Sequence, residues 1–167
     1  MSALEGKTVG QLRAMARKAA GITLDRYWDG ALPVDVVRIA RDLGASVFTA
    51  QLGDDTFGML QSDSAGANIY IDVDQPLVRK RFTCAHEVGH LVSHADEPGA
   101  QFVDKRSDAG RGTASEIYAN EFAGNLLMPE PRVREMHDGG ASPIDMAARF
   151  GAPLQAVSYR MRVLGIG

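Results

Sequence analysis

Cysteine, long apolar runs and clustered basic residues are all scarce in this sequence. Cys84 is the only cysteine, so an internal disulfide is impossible and a disulfide-stapled extracellular scaffold is excluded. No stretch approaches the roughly 18 apolar residues of a membrane-spanning helix, and the N-terminal segment lacks the continuous apolar core of a signal peptide. The net charge is −3 and the longest basic run is residues 79–81, so direct nucleic-acid binding is not expected. Together these absences predict a cytoplasmic protein that does not bind membranes.

The composition that remains, 45% apolar and 23% charged, is typical of a globular chain with one sizeable core. Residues 8–20 have helical spacing before a stop at Gly21, and a second helix is predicted from Pro33 to Leu43, which gives N-terminal helices within 8–44. Three strand-like segments follow at 46–52, 56–61 and 67–73, separated by turn residues. They predict a small three-stranded antiparallel sheet within residues 45–74.

The second half of the sequence is predominantly helical in pattern. A helix is predicted from Pro76 through His94, a loop over residues 97–113, and a third long helix from Ala114 to Met128, which Pro129 ends. Two short helices at 144–150 and 154–164 complete the chain. The order predicts an α+β fold in one domain over residues 1–167, with functional helices in 76–130 and a C-terminal helical pair in 142–165.

The motif H-E-x-x-H occurs once, at residues 86–90. On a helix, His86 and His90 lie about 40° apart on one face, so both imidazoles can bind a single zinc ion. Glu87 points about 100° away from His86, where it can act as a general base on a water molecule beside the metal. The alternative interpretation is a surface helix whose histidines are solvated.

A third ligand is needed to complete such a site. His94 is excluded because eight residues of helix rise about 12 Å, whereas ligands of one zinc lie within about 4 Å of one another. The remaining candidates are carboxylates: Asp96, Glu97, Asp104, Asp108, Glu116 and Glu121.

Helical geometry favours Glu116 among these carboxylates. Glu116 points into the apolar stripe of the third helix, where a carboxylate is costly unless it binds a metal or pairs with an arginine. Glu121 lies about 140° away, beside Tyr118 and Asn125, on the face expected to meet solvent. Asn120, one turn after Glu116, is predicted either to hydrogen-bond a metal-binding histidine or to form an ordinary interhelical hydrogen bond.

Two segments together resemble the ImmA/IrrE family of zinc metallopeptidases. They are RFTCAHEVGHLVSH, residues 81–94, and ASEIYANEFAGNLLMP, residues 114–129; looser similarity extends over most of residues 30–130. The resemblance implies a gluzincin-like fold, with a small sheet packed on a helical bundle, and a cytoplasmic zinc endopeptidase that cleaves a helix-turn-helix repressor.

Carried over by residue, the resemblance implies that His86, His90 and Glu116 bind zinc and that Glu87 is the base. Tyr118 departs from the family pattern, since many members have a second glutamate there. Larger relatives have a further C-terminal domain that this chain lacks, so a stress-response role follows less directly than the peptidase chemistry.

Several further residues are candidates for supporting roles. The 67–73 strand is predicted to be an exposed edge that holds the substrate as an added strand, unless its own loops block it. The oxyanion donor is not identified; His137, Tyr118 and Tyr159 are candidates. Cys84 lies about 160° around the helix from His86 and is expected to pack in the core.

The C-terminal helical pair has the pattern of a helix-turn-helix, with a short helix, a turn and a second helix. Its second helix begins with apolar and neutral residues, and Arg160 and Arg162 come late, so tertiary packing is the favoured interpretation. The rival function is a non-catalytic regulator or toxin-type partner that uses the same fold to bind a DNA-binding protein. Zinc content and peptidase activity discriminate between the two.

Overall fold

Seven helices and four strands are present in the described part of the chain. The structure is a computed structural model that describes residues 2–53, 55–97, 99–105 and 112–167, and only the backbone at 104 and 105. The helices are α1 Val9–Tyr27, α2 Val36–Asp42, α3 Leu77–Ser93, α4 Ala114–Leu127, α5 Glu130–Asp138, α6 Pro143–Phe150 and α7 Leu154–Val163. The strands are β1 Ala45–Ala50, β2 Thr56–Asp63, β3 Gly66–Asp72 and β4 Gln101–Lys105. The α+β prediction is therefore confirmed, and none of the described helices is suited to crossing a membrane.

The sheet is mixed and four-stranded, in the order β1-β3-β2-β4. Strand β3 pairs parallel with β1 and antiparallel with β2, and β2 pairs antiparallel with β4. The prediction of three antiparallel strands was wrong in this detail, and residues 67–73 lie inside the sheet instead of at its edge. The short β2–β3 turn makes those strands a hairpin, and the second edge of β3 then pairs with β1.

Strand β4 lies in a segment that was predicted to be a loop. Its five residues carry too little alternation to identify a strand from sequence, and its pairing with β2 is a long-range contact. Helix α5 was also not predicted. Strand β4 thus owes its structure to a contact with a distant part of the chain, whereas α5 carries local ion pairs such as Glu130–Arg134 at 2.9 Å.

Helix α1 continues past Gly21, where the sequence predicted a stop, and ends at Tyr27. A glycine inside a helix costs about 1 kcal/mol relative to alanine. Packing offsets this cost, because Ala20 and Thr23 on either side are buried and α1 packs along α4. The Thr23 hydroxyl also donates a hydrogen bond to the Ala19 carbonyl at 2.8 Å.

Helix α4 is buried on almost every side because it lies between α1 and α3. Tyr118, Glu121 and Asn125, which the helical pattern assigned to solvent, are all buried. That prediction was wrong because the pattern of α4 shows one apolar stripe, whereas two helices cover it. The polar residues on the second face are hydrogen-bonded, as Asn125 Nδ2 donates to the Glu121 backbone carbonyl at 2.8 Å and to Glu121 Oε1 at 3.3 Å.

Arg81 connects the start of α3 to two other parts of the fold. Its guanidinium donates to the carbonyls of Gly151 at 3.0 Å, Val34 at 2.7 Å and Phe150 at 3.4 Å. These three carbonyls come from the α1–α2 connection, from the last residue of α6 and from the turn that follows it. One side chain therefore ties the N-terminal and C-terminal helices to α3.

We expect Arg81→Lys to lower the free energy of unfolding by about 2 kcal/mol, because an ammonium group cannot reproduce the planar set of donors. Urea unfolding followed by circular dichroism measures the change. Arg26→Lys, on the exposed surface of α1, is the matched control and should stay within about 0.5 kcal/mol of wild type. Equal unfolding midpoints for the two variants would contradict this role for Arg81.

Candidate metal centre

Close packing of α3 against α4 brings the predicted site residues together. Gly89 lies at the contact: a Cβ atom at this position would be 3.0 Å from Ala119 Cα and 3.2 Å from Phe122 Cβ. Such distances are shorter than normal van der Waals contact, so only glycine fits without displacing α4. The side chains of His86 and His90 on α3 therefore meet that of Glu116 in the first turn of α4.

The three side chains converge on one point. The Nε2 atoms of His86 and His90 are 3.1 Å apart, Glu116 Oε2 is 3.2 Å from His86 Nε2, and Glu116 Oε1 is 3.0 Å from His90 Nε2. Both histidines are buried, whereas the Glu116 side chain is 21% exposed. The carboxylate thus stands at the opening of a buried pair of imidazoles.

The spacing of these atoms fits a tetrahedral metal ion. Ligand atoms at 2.0–2.1 Å from zinc in tetrahedral geometry are about 3.3–3.4 Å apart, within a few tenths of an ångström of the three distances here. The donor set, two imidazoles and one carboxylate, is also one that catalytic zinc sites use. Among the residues that the structure describes, His86, His90 and Glu116 form a group able to hold a metal ion.

The protonation states of the ligands favour a cation. Burial lowers the pKa of His90 to about 4, so this imidazole is neutral near pH 7 and keeps a lone pair for a metal. Burial alone would raise the pKa of Glu116, but the close approach of the His86 and His90 rings outweighs it and lowers the pKa to about 2. The carboxylate is therefore ionised.

Each histidine ring is oriented by a different kind of contact. His86 Nδ1 donates to Asn120 Oδ1 at 2.8 Å, which leaves Nε2 as the acceptor that faces the centre. The His90 ring stacks on Phe102 of β4, with centroids 4.2 Å apart and an interplanar angle of 6°. Phe102 was missed by the sequence interpretation because its segment was predicted to be a loop.

Glu87 is fully buried between α3 and β2. A Cβ atom at Gly58 in β2 would be 3.1 Å from Glu87 Oε1 and 2.6 Å from Thr83 Cγ2. The strand can therefore approach the carboxylate only because residue 58 is glycine. A glycine inside a strand often marks such a close approach, and this was the available signal that the sequence interpretation did not use.

The other predicted candidates lie apart from the cluster. His94 Nδ1 lies 3.2 Å from the carbonyl oxygen of His90 and 2.6 Å from Ser93 Oγ, and His94 Nε2 faces Glu97 at 4.0 Å. Asp96 is exposed. Asp108 and the side chain of Asp104 lie outside the described residues.

The candidate oxyanion donors also have other neighbours. The Tyr159 hydroxyl lies 3.5 Å from Glu121 Oε2, and His137 Nδ1 lies 3.4 Å from Asp138 Oδ1. Tyr118 is buried, and burial raises its pKa to about 12. Cys84 is likewise buried, and burial raises the pKa of its thiol to about 12, which keeps it protonated.

Asn120→Ala is expected to weaken metal binding about 10–100-fold, the usual cost of removing a hydrogen-bond partner from a metal-binding histidine. Competition with a chromophoric zinc chelator measures the affinity. Asn120→Asp, which keeps an oxygen acceptor for His86 Nδ1, is the control and should bind at least as tightly as wild type. Equal affinities for Asn120→Ala and wild type would show that the 2.8 Å hydrogen bond does not support the site.

Comparisons with known proteins agree with this arrangement. A family model described as the IrrE N-terminal-like domain, from a peptidase family, matches residues 40–162. Among solved structures, a chain described as a Mycobacterium tuberculosis transcriptional regulator matches with a TM-score of 0.55 and 20% identity. The match covers 90% of this chain and 46% of that one, so this chain spans about half the length of the solved relative. An identity of 20% establishes the shared fold alone.

No curated protein gives a significant match to the sequence. The family match nevertheless includes every residue of the cluster and extends over most of the chain. Its peptidase description agrees with a buried pair of histidines and a carboxylate held at metal-binding distances. The chain therefore belongs to the ImmA/IrrE family and carries a metallopeptidase-like domain.

Proposed function

We propose that this protein is a zinc-dependent endopeptidase that cleaves a helix-turn-helix repressor and so relieves repression. The observation that carries the peptidase proposal is the convergence of two histidine nitrogens and one carboxylate at 3.0–3.2 Å from one another. The repressor as substrate rests on membership of the ImmA/IrrE family, for which the sequence resemblance implied this activity.

Zinc would be held by His86 Nε2, His90 Nε2 and the Glu116 carboxylate. A zinc ion bound with three protein ligands supplies Lewis-acid chemistry, because it polarises a peptide carbonyl and makes water a stronger nucleophile near pH 7. The protein orients both imidazoles through Asn120 and Phe102, so little reorganisation is needed when the ion binds.

Glu87 is the proposed general base. It takes a proton from the attacking water and then donates that proton to the amine nitrogen of the departing peptide. Its carboxylate is buried against Gly58 of β2, so its position is set by the strand as well as by α3. Glu87 is not part of the metal-binding group of His86, His90 and Glu116, which suits a base better than a fourth ligand.

Strand β4 is proposed to hold the substrate. It is an edge strand of the described sheet, and an extended peptide would add as a strand on the side that does not pair with β2. Phe102 stacks on His90, which connects this strand directly to the metal centre. The substrate strand is thus assigned to β4 in place of the inner strand β3.

The test uses the purified chain and a helix-turn-helix repressor encoded by a neighbouring gene. We expect about one zinc per chain by elemental analysis, cleavage of the repressor, loss of cleavage on chelation and its return with added zinc. Binding of the repressor by the zinc-loaded protein without cleavage would instead support the non-catalytic regulator or toxin-type partner.

A further inference from the structure

A cleft of about 720 Å³ lies beside the metal centre, between α4 and α7. It is separate from the zinc ligands, but one of its walls is Asn120, whose side chain is exposed and hydrogen-bonds His86. A molecule bound at the Asn120 end of the cleft would therefore lie one side chain away from a metal ligand. The mechanism proposed above uses no other part of this cleft.

The charge of the cleft is strongly positive. Four arginines line it, together with a single carboxylate, that of Glu121; the arginines are Arg13, Arg79, Arg160 and Arg162. Glu121 is buried and has its own partners: Asn125 Nδ2 donates to Oε1 at 3.3 Å, and the Tyr159 hydroxyl donates to Oε2 at 3.5 Å. Arg13 lies 4.0 Å from the same carboxylate, so three arginines remain as excess charge.

Arg160 is the central group of the cleft. It is only 4% exposed, and its Nε donates to the Met128 carbonyl at 3.1 Å. Among the described residues it has no carboxylate within ion-pair distance, and nearby Glu130 is paired with Arg134 at 2.9 Å. Burial lowers the pKa of Arg160 more than the nearby carboxylates of Glu121 and Glu130 raise it.

Arg79 and Arg162 also keep their charges available. Arg162 lies over the Tyr159 ring at 5.5 Å, and Arg79 lies over the Phe57 ring at the same distance. Contacts with aromatic faces leave the edge donors of a guanidinium free for an anion. A buried arginine that has no described carboxylate in direct contact is costly, and a ligand carboxylate that accepts two of its N–H groups would offset that cost.

We propose that this cleft binds a carboxylate side chain of the peptide substrate and so selects substrates with an acidic residue about five positions from the scissile bond. Arg160 contacts Met128 at the end of α4, about 18 Å along that helix from Glu116, and an extended peptide spans about 3.3 Å per residue. The assignment to substrate recognition rests on the proposed peptidase function. Arg160 would form the central contact with the carboxylate, with Arg162 and Arg79 at the rim. Asn120 would link occupancy of the cleft to the zinc ligand His86.

The experiment titrates the full chain with two blocked pentapeptides that differ only in a central aspartate or asparagine. A chelator is present, so binding is read without any cleavage. The Arg160 Nε–H signal in ¹⁵N NMR is the probe, assigned by its loss in Arg160→Lys. We expect the aspartate peptide to shift this signal saturably and the asparagine peptide to leave it unchanged.

Variants test the charges individually. Arg160→Lys, followed through backbone signals of α7, should weaken the aspartate peptide at least about tenfold, and Arg162→Gln about threefold. Arg26→Gln, an equal change of charge on the exposed surface of α1, should leave binding unaltered. If Arg160→Lys does not fold, the comparison of Arg162→Gln with Arg26→Gln still decides the result.

Equal responses to the two peptides, or no response to either, would overturn the inference. Saturable binding of inorganic phosphate without binding of the aspartate peptide would overturn the assignment to a peptide carboxylate. Selective binding by a chain that never cleaves protein would leave the carboxylate site intact and refute only its peptidase role.

Discussion

Glu87→Gln is expected to abolish cleavage of the repressor while zinc remains bound. The amide cannot accept a proton from water, so the rate should fall about 10²–10⁴-fold, the usual contribution of a general base. The metal ligands are untouched, and glutamine has nearly the same shape as glutamate in the buried space beside Gly58. Single-turnover cleavage and elemental analysis of the same preparation measure the two quantities.

His86→Ala and Glu97→Gln are the two control variants for Glu87→Gln. His86→Ala removes one of the convergent nitrogens and should lose zinc and cleavage together. Glu97→Gln removes a carboxylate that faces His94 outside the cluster and should keep both. Cleavage by Glu87→Gln at the wild-type rate would refute the proposed mechanism, because the protein would then need a different base.

Gly89→Ala is expected to damage the site through helix packing, without changing any ligand. The added methyl group would meet the backbone of α4 at 3.0 Å, where it cannot be relieved by rotation of a flexible side chain. Overpacking of this kind costs about 1–3 kcal/mol of stability. A shift of α4 by a few tenths of an ångström would also move Glu116 away from both histidines, so zinc affinity should fall at least about tenfold. Urea unfolding of the metal-free protein and chelator competition separate the two effects.

Gly21→Ala is the matched control for this substitution. Gly21 is also inside a helix, but a Cβ atom there meets no atom within 4 Å. The control should be more stable than wild type by about 0.5–1 kcal/mol, because alanine loses less conformational entropy in a helix. If Gly89→Ala behaves like Gly21→Ala in stability and zinc affinity, the close contact between α3 and α4 does not hold the site together.

The regular geometry of single helices explains which site residues could be predicted from the sequence. The spacing of His86 and His90 depends only on the pitch of one helix, and the structure has their Nε2 atoms 3.1 Å apart. The same helical pitch correctly predicted that His94 is too far along α3 to join these two histidines. The direction of Glu116 was inferred from the apolar stripe of α4, and it meets the histidines even though the opposite face of that helix was misjudged.

Contacts between distant segments explain what could not be predicted. Strand β3 lies inside the sheet because β1 pairs with β3 and not with β2. The alternation of apolar and polar residues along a strand does not show which strands will pair with it. Glu121 is buried because α1 covers a face of α4 whose residues are polar. Phe102 and Gly58 contribute to the site from strands whose approach to α3 is set by the whole sheet.

The amino-acid sequence by itself determined the helix that carries His86, Glu87 and His90, because an i, i+4 spacing needs no partner to place two side chains on one face. Only the tertiary structure decided that Glu116 completes the group, that Asn120 and Phe102 orient its rings, and that Arg160 lies buried in a cleft beside it. These contacts form across the packing of α3, α4, α7 and the sheet. They depend on how closely two helices can approach each other, as α3 and α4 do at Gly89. The periodic pattern of residues along the chain does not encode such distances.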